Sequence, residues 1–197
     1  MPKGIPLTEE EQARRRREIF DAAVQLFIEK GFTETSMREI AAAAGAGKST
    51  LYDYFKNKDE ILVSYFEDEL QTITSLAESI NHKDLPAEEK LQQIMLAHLD
   101  YLLANKNIYL ILTVEAQRLG IQSQKRIQAS RHAYQDLVCR LIEAGIREGS
   151  FRPVDPLLAM RMITAALTPV VFTTRPTGTP QEMFTAALDI FLNGIRA

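Results

Sequence analysis

The stretch Thr35-Ser-Met-Arg-Glu-Ile-Ala-Ala-Ala-Ala-Gly45-Ala-Gly-Lys48-Ser-Thr-Leu-Tyr-Asp-Tyr54 decides how this chain is read. Ser36 and Glu39 stand three apart ahead of Ile40 and Ala41. That is capping-box spacing: the hydroxyl takes an orphan amide of the first turn and the glutamate reaches back. Gly45 stops this helix, since a left-handed backbone costs glycine nothing. Beyond Gly45-Ala46-Gly47 a second short helix is predicted over Lys48–Tyr54. Two short helices across a glycine turn form a helix-turn-helix, whose second helix enters a DNA major groove. Lys48, Ser49, Thr50, Tyr52 and Tyr54 supply polar groups there, while Leu51 and Phe55, four apart, turn inward.

Outward from this stretch the punctuation stays helical. Thr8 precedes Glu11 by three residues and Asn57 precedes Glu60, each opening a run with apolar residues at helical spacing. Gly31 ends the first helix. Further helices are predicted over 58–80, 86–104, 107–119, 122–148, 156–173 and 180–195, with breaks at Asp84–Pro86, Gly120, Arg152–Pro156 and Arg175–Gly178. No Asn-Gly or Asp-Gly hairpin between alternating runs is found, and sustained period-two alternation is scarce. The expected fold is all-α with about nine helices, divided into residues 1–57 and 58–197.

The 197 residues are 46% hydrophobic and 25% charged, near the globular average, which excludes disordered and fibrous classes. The longest apolar-leaning run, Met162–Thr174, falls short of the roughly 20 residues that span a bilayer. Residues 1–12 hold no apolar stretch of leader length, and Cys139 has no second cysteine to pair with. The expectation is a cytoplasmic protein without membrane association. A net charge of −3 argues against coating nucleic acid by bulk charge. The total hides a division, because residues 14–58 carry +3 while residues 59–197 carry −4.

A competing reading takes Ala42-Ala-Ala-Gly45-Ala-Gly47-Lys48-Ser49-Thr50 as a phosphate-binding loop lacking only its first glycine. Ile108–Glu115, β-rich and ending in a carboxylate, would supply the partner strand of a phosphotransferase. Such a loop requires a buried strand directly before it, and an alanine-rich helix with its own capping box is predicted there instead. His82, His98 and His132 lie in separate segments, so no local metal spacing arises. No enzymatic activity, cofactor or metal is expected.

Three segments carry a family resemblance: Arg17-Glu-Ile-Phe-Asp-Ala-Ala-Val-Gln-Leu-Phe-Ile-Glu-Lys-Gly-Phe, Thr35-Ser-Met-Arg-Glu-Ile-Ala, and Ala44-Gly-Ala-Gly-Lys-Ser-Thr-Leu-Tyr-Asp-Tyr-Phe-Lys-Asn-Lys58. Together they resemble the TetR family of transcriptional regulators, nearly without a gap from Arg17 to Leu62. Gly47 departs from the usual serine cap and Ser49 from a frequent glycine. The resemblance implies a homodimer on an operator of double-stranded DNA, most often a repressor released by a small-molecule effector. A DNA-binding regulator without ligand control is the variant reading.

Carried to matching positions, the resemblance makes Thr35 and Ser36 phosphate contacts and Lys48 a mixed phosphate and base contact. Thr50, Tyr52, Tyr54 and Lys58 become backbone anchors, and base reading falls to Lys48, Ser49 and Tyr52. At least one arginine of Arg14–Arg17, with Arg17 the candidate, is expected to touch DNA. Met95, His98, Leu99, Leu102, Tyr109, Leu112, Glu115, Thr168 and Phe172 have the composition of an effector pocket, and equally of an ordinary core. For the dimer contact, the last two helices offer Met160, Ile163, Leu167, Phe184, Leu188 and Phe191.

Overall fold

The computed structural model describes residues 8–196, so the leader reading of the first residues lies outside the described residues. Among the described residues ten helices follow one another: α1 (Glu9–Lys30), α2 (Met37–Ala43), α3 (Lys48–Tyr54), α4 (Lys58–Asn81), α5 (Ala87–Ala104), α6 (Lys106–Glu115), α7 (Ile121–Arg147), α8 (Pro156–Ala165), α9 (Leu167–Phe172) and α10 (Pro180–Ile195). Among the described residues the only extended pairing is the isolated bridge between Phe151 and Arg196. The fold is all-α.

Local chemistry explains the helix starts. Thr8 with Glu11 and Ser36 with Glu39 form complete capping boxes, and so does Thr179 with Glu182. Asn57 caps α4 through the Glu60 amide at 2.8 Å, while the Glu60 carboxylate takes the amide of Lys56. Asp155 accepts from the amides of Leu157 and Leu158, with Pro156 at the first helical position, where a missing N–H does no harm. Gly31 and Gly45 adopt the positive φ expected of them.

Two expectations need correction. The helix predicted over 156–173 is two helices, α8 and α9, broken at Ala166. Pro169 has no N–H to give the Ala165 carbonyl, and its ring crowds that carbonyl, so the ladder fails there. The segment predicted over 107–119 stays helical only to Glu115, after which Gln124 holds the carbonyls of Gln117 and Leu119 in a turn. Ile108–Glu115 is thus helix, and a helix rather than a strand precedes Gly45, which removes the phosphate-loop reading.

The chain divides into two compact units, one reaching Phe66 and including Asn107–Lys125, the other comprising Glu67–Lys106 and the chain from Arg126 onward. The boundary between these units falls inside α4. In the first unit α1 packs on α2 and α2 on α3. Ile19, Phe20, Phe27, Ile40, Leu51 and Phe55 are fully buried, with the Phe20 ring 5.5 Å from Phe55 and edge-on to Tyr65. Burying each such side chain stabilises the unit by roughly 1.5–3 kcal/mol. In the second unit α5 packs on α9 and α10, burying Leu91, Met95, Leu99, Phe184 and Leu188. A side chain at Gly145 of α7 would meet the Phe151 ring at 2.4 Å, so that ring lies directly on the helix backbone.

Candidate nucleic-acid interface

The recognition helix α3 is oriented by two residues. Leu51 and Phe55 are buried, which turns Lys48, Ser49 and Tyr52 to solvent. Thr50 and Tyr54 are half-buried at the flanks, Tyr54 with its ring 6.4 Å from that of Phe55. The Lys48 ammonium stands 6.0 Å from the centre of the Tyr52 ring. The helix therefore presents an ammonium, a hydroxyl and a phenol on one side.

The preceding turn is held from α1. The C-terminal carbonyls of a helix have no intrahelical donors. The Arg15 guanidinium supplies them, bonding Ala44 O at 3.3 Å and Gly45 O at 2.9 Å while it pairs with Glu18. Arg16 lies over the rings of Phe20 and Phe55. Arg17 is exposed and pairs with Asp21 at 3.4 Å. Two of the four arginines thus hold the module together, a role hidden in the sequence because Arg15 binds main-chain oxygens.

At the start of α2, Ser36 is exposed, and its hydroxyl donates to Glu39 while accepting from the Glu39 amide. The Lys30 ammonium, 2.7 Å away, and then the Ser36 hydrogen bonds push the Glu39 carboxyl down to about 2.

The Thr35 hydroxyl and the Lys58 ammonium are both engaged within the protein. Thr35 is buried, and its hydroxyl donates to Gly31 O at 2.8 Å with Leu26 O at 3.3 Å, so it closes the end of α1. The Lys58 ammonium bonds the carbonyls of Phe32 and Thr33 at 2.8 Å and of Thr35 at 3.1 Å. An ammonium has three N–H donors, and all three are engaged.

The effector candidates fall in both units. Tyr109, Leu112 and Glu115 belong to the first, where Glu115 pairs with Arg118 of the turn that follows α6. Met95, Leu99 and Leu102 are buried in the second, and Phe172 lies under the Lys106 ammonium. Thr168 is exposed, with its hydroxyl outside the core. His98 Nδ1 meets the Tyr134 hydroxyl at 2.9 Å, and the two rings stand edge-on to each other. His98 retains some accessible surface, yet loss of water pushes its pKa down to about 4. Tyr134, which no side-chain pattern in the sequence marks, has its phenol pushed above the ordinary range by the same cause. Tyr101 donates to the buried Glu69. Among the described residues no cluster of three metal-ligating side chains occurs.

Of the dimer candidates, Met160, Ile163, Leu167, Phe184 and Leu188 are buried in the chain's own core and only Phe191 is half-buried. A groove of about 520 Å³ nevertheless runs between α8 and α10, with Ile163, Phe184, Leu188 and Phe191 among its lining. The apolar groups it leaves in solvent are Leu158 at 57%, Met162 at 59% and Ile190 at 76% exposure. Sequence alone does not say which side of an all-round apolar helix faces its own core.

Comparison with known proteins matches these parts. Residues 19–65 fit the family model of bacterial regulatory proteins of the tetR family, and residues 84–195 fit a tetracyclin repressor-like C-terminal domain. The chain is 30% identical over 158 residues to the fatty acid metabolism regulator protein of Bacillus subtilis, covering 79% of this chain and 81% of that one. It is 30% identical over 185 residues to the transcriptional repressor KstR2 of Mycobacterium tuberculosis, covering 92% of each. The solved structure of the B. subtilis regulator FadR in complex with stearoyl-CoA superposes with a TM-score of 0.78 at 27% identity, over 91% of this chain and 99% of that one. With the helix-turn-helix head and the helical second unit both matched, the chain belongs to the TetR family of bacterial regulatory proteins.

Proposed function

We propose that the protein is a transcriptional repressor that grips an operator as a homodimer and lets go when a long-chain fatty acyl thioester binds its second unit. The observation that carries the reading is the recognition helix, where buried Leu51 and Phe55 turn Lys48, Ser49 and Tyr52 outward together. Lys48 supplies phosphate and base-edge contacts, and Ser49 and Tyr52 read bases. Ser36 and Arg17 lie exposed on the same unit and extend the phosphate contacts. No helix among the described residues is long and apolar enough to cross a membrane, which accords with action on DNA in the cytoplasm.

Dimerisation is supported by the groove between α8 and α10, since large apolar side chains left in water mark interaction surfaces. An isologous contact of these two helices with their symmetry mates makes a four-helix interface and sets two recognition helices on paired half-sites. The effector class is supported by the fatty-acid regulators that the chain resembles, one of them solved with stearoyl-CoA. Met95, Leu99 and Leu102 supply apolar wall, and the His98–Tyr134 pair supplies a polar point against which a thioester carbonyl is oriented. Release follows if the acyl thioester binds the DNA-incompetent arrangement more tightly than the competent one.

The test is selection of DNA from a random-sequence library with the purified protein, then titration of the complex with stearoyl-CoA and with coenzyme A alone. The expected result is an enriched palindrome, freed by stearoyl-CoA and not by coenzyme A. No enrichment would overturn the DNA-binding reading. An enriched duplex indifferent to stearoyl-CoA would overturn the effector reading alone.

A further inference from the structure

His98 and Tyr101 stand three apart on α5 and so share one side of that helix, about 5–6 Å apart at Cβ. Each reaches a different neighbour within the second unit. His98 Nδ1 meets the Tyr134 hydroxyl of α7 at 2.9 Å, and the Tyr101 hydroxyl donates to the Glu69 carboxyl of α4. Glu69 and Tyr134 are buried, whereas His98 and Tyr101 keep accessible surface. His98 nevertheless loses enough water for its pKa to be pushed down to about 4, so the surface it keeps lines a recess rather than an outer face. The adjoining face of α5, with Leu91, Met95 and Leu99, is apolar core. Four polar side chains from three helices thus converge on one side of α5.

The protons of the two pairs give them opposite characters. At neutral pH His98 carries one N–H and Tyr134 one O–H, and one of these protons lies between the two side chains. The other points outward whichever tautomer is present, from Nε2 or from the phenol, so this pair offers a donor. The Tyr101 proton is spent on Glu69, so that pair offers acceptor oxygens. We propose that the two pairs together hold the thioester end of an acyl-coenzyme A: the thioester carbonyl takes the proton of the His98–Tyr134 pair, and the first amide N–H of the pantetheine arm donates to the Glu69–Tyr101 pair. The proposal rests on the effector reading above and deepens it. In such a thioester the sulfur and two methylenes separate the carbonyl from the amide nitrogen, a span comparable to one helical turn. A carboxylate has about four acceptor positions, so Glu69 takes this N–H beside its contacts within the protein. A free fatty acid lacks the amide and brings a carboxylate. None of the four side chains is cationic at neutral pH, and one of them is itself an acid, so the cluster disfavours that charge.

The test measures, by isothermal titration calorimetry, the binding of two lauroyl thioesters. One is the thioester of N-acetylcysteamine, and the other that of 2-acetoxyethanethiol, in which an ester oxygen replaces the N–H. The wild type is expected to prefer the first by about tenfold, and to bind free laurate at least about tenfold more weakly than that thioester. Glu69→Met combined with Tyr101→Phe removes both polar partners, so neither is left unmatched, and the preference for the N–H is expected to vanish in a protein that circular dichroism shows folded. A wild-type preference below about threefold, laurate bound as tightly as the thioester, or a preference that survives in the folded double variant would each overturn the proposal. Should the double variant not fold, Glu69→Gln decides: a preference reduced by about threefold or more upholds the proposal, and a smaller reduction overturns it. Stearoyl-CoA titrated in parallel separates the two readings. If it binds while neither lauroyl thioester does, the proposal alone falls. If it fails to bind as well, the effector reading falls with it.

Discussion

The Arg15 guanidinium donates to the Gly45 carbonyl at 2.9 Å, tying the first helix to the turn that launches the recognition helix. The turn has only Gly45, Ala46 and Gly47 to set its path, and two of these are glycines. With the tie cut, the turn samples more conformations and must be ordered again on binding. Arg15→Ala is expected to cost about 1 kcal/mol of DNA binding, about fivefold in affinity, measured by fluorescence anisotropy on the selected duplex. Unaltered affinity would show that the turn holds its shape without α1.

Gly145 and Phe151 make a second close pair, and it bears on stability. A Cβ at residue 145 would stand 2.4 Å from one ring carbon and 2.6 Å from another, with Ala87 Cβ at 3.2 Å on another side. Phe151 is buried, so the ring has little room to withdraw. Gly145→Ala is expected to destabilise the protein by about 1–3 kcal/mol in urea unfolding, despite alanine's higher helix propensity. Adding Phe151→Leu should recover part of that loss relative to the sum of the single changes. Strict additivity would mean that the ring is not the obstacle.

Acid should weaken the fold through His98. Removal from water lowers its pKa from 6.5 to about 4, so the unfolded chain takes up the proton first as pH falls. Above about pH 6.5 the residue contributes no pH dependence. Stability then declines toward pH 4 and levels off below, where the folded state is protonated too; the full effect is on the order of 3 kcal/mol. The Glu39 carboxyl, lowered from 4.5 to about 2, loses its contribution in the more acidic window between those values. Unfolding curves of His98→Gln should therefore be flatter than wild type between pH 6.5 and 4 and parallel to it below. An unchanged slope in the upper window would assign the acid response elsewhere.

The dimer surface is tested at Ile190, which is 76% exposed and removes little from the chain's own core when changed. Ile190→Lys places an ammonium where two apolar faces are proposed to meet, and its symmetry mate doubles the charge. Sedimentation should show a monomer with wild-type helicity, and affinity for the palindromic duplex should fall at least tenfold as paired half-site binding is lost. A dimer that survives this change does not use the α8–α10 groove.

Helix boundaries were legible wherever their cause is local. Ser36 with Glu39 and Thr8 with Glu11 announce their helices within four residues, and Leu51 with Phe55 announces the inward side of α3. Thr179 with Glu182 and Pro169 are readable by the same rules. The roles of Arg15, Thr35 and Lys58 were of another kind. Each bonds main-chain carbonyls, which every residue carries and no side-chain pattern marks, from as far as 30 positions away. The dimer surface was half legible: α8 and α10 read as apolar, but period alone could not separate Ile163, buried in its own core, from Met162, left in water.

The central claim, that α3 reads DNA through its Lys48 side, is tested most directly by Lys48→Ala on the selected duplex across a salt series. Lys48 is exposed and its loss leaves the core of the first unit intact, so the fold should be unchanged. Affinity is predicted to fall, with the slope of log affinity against log salt shallower by about one. Wild-type affinity and slope at every salt concentration would contradict the account.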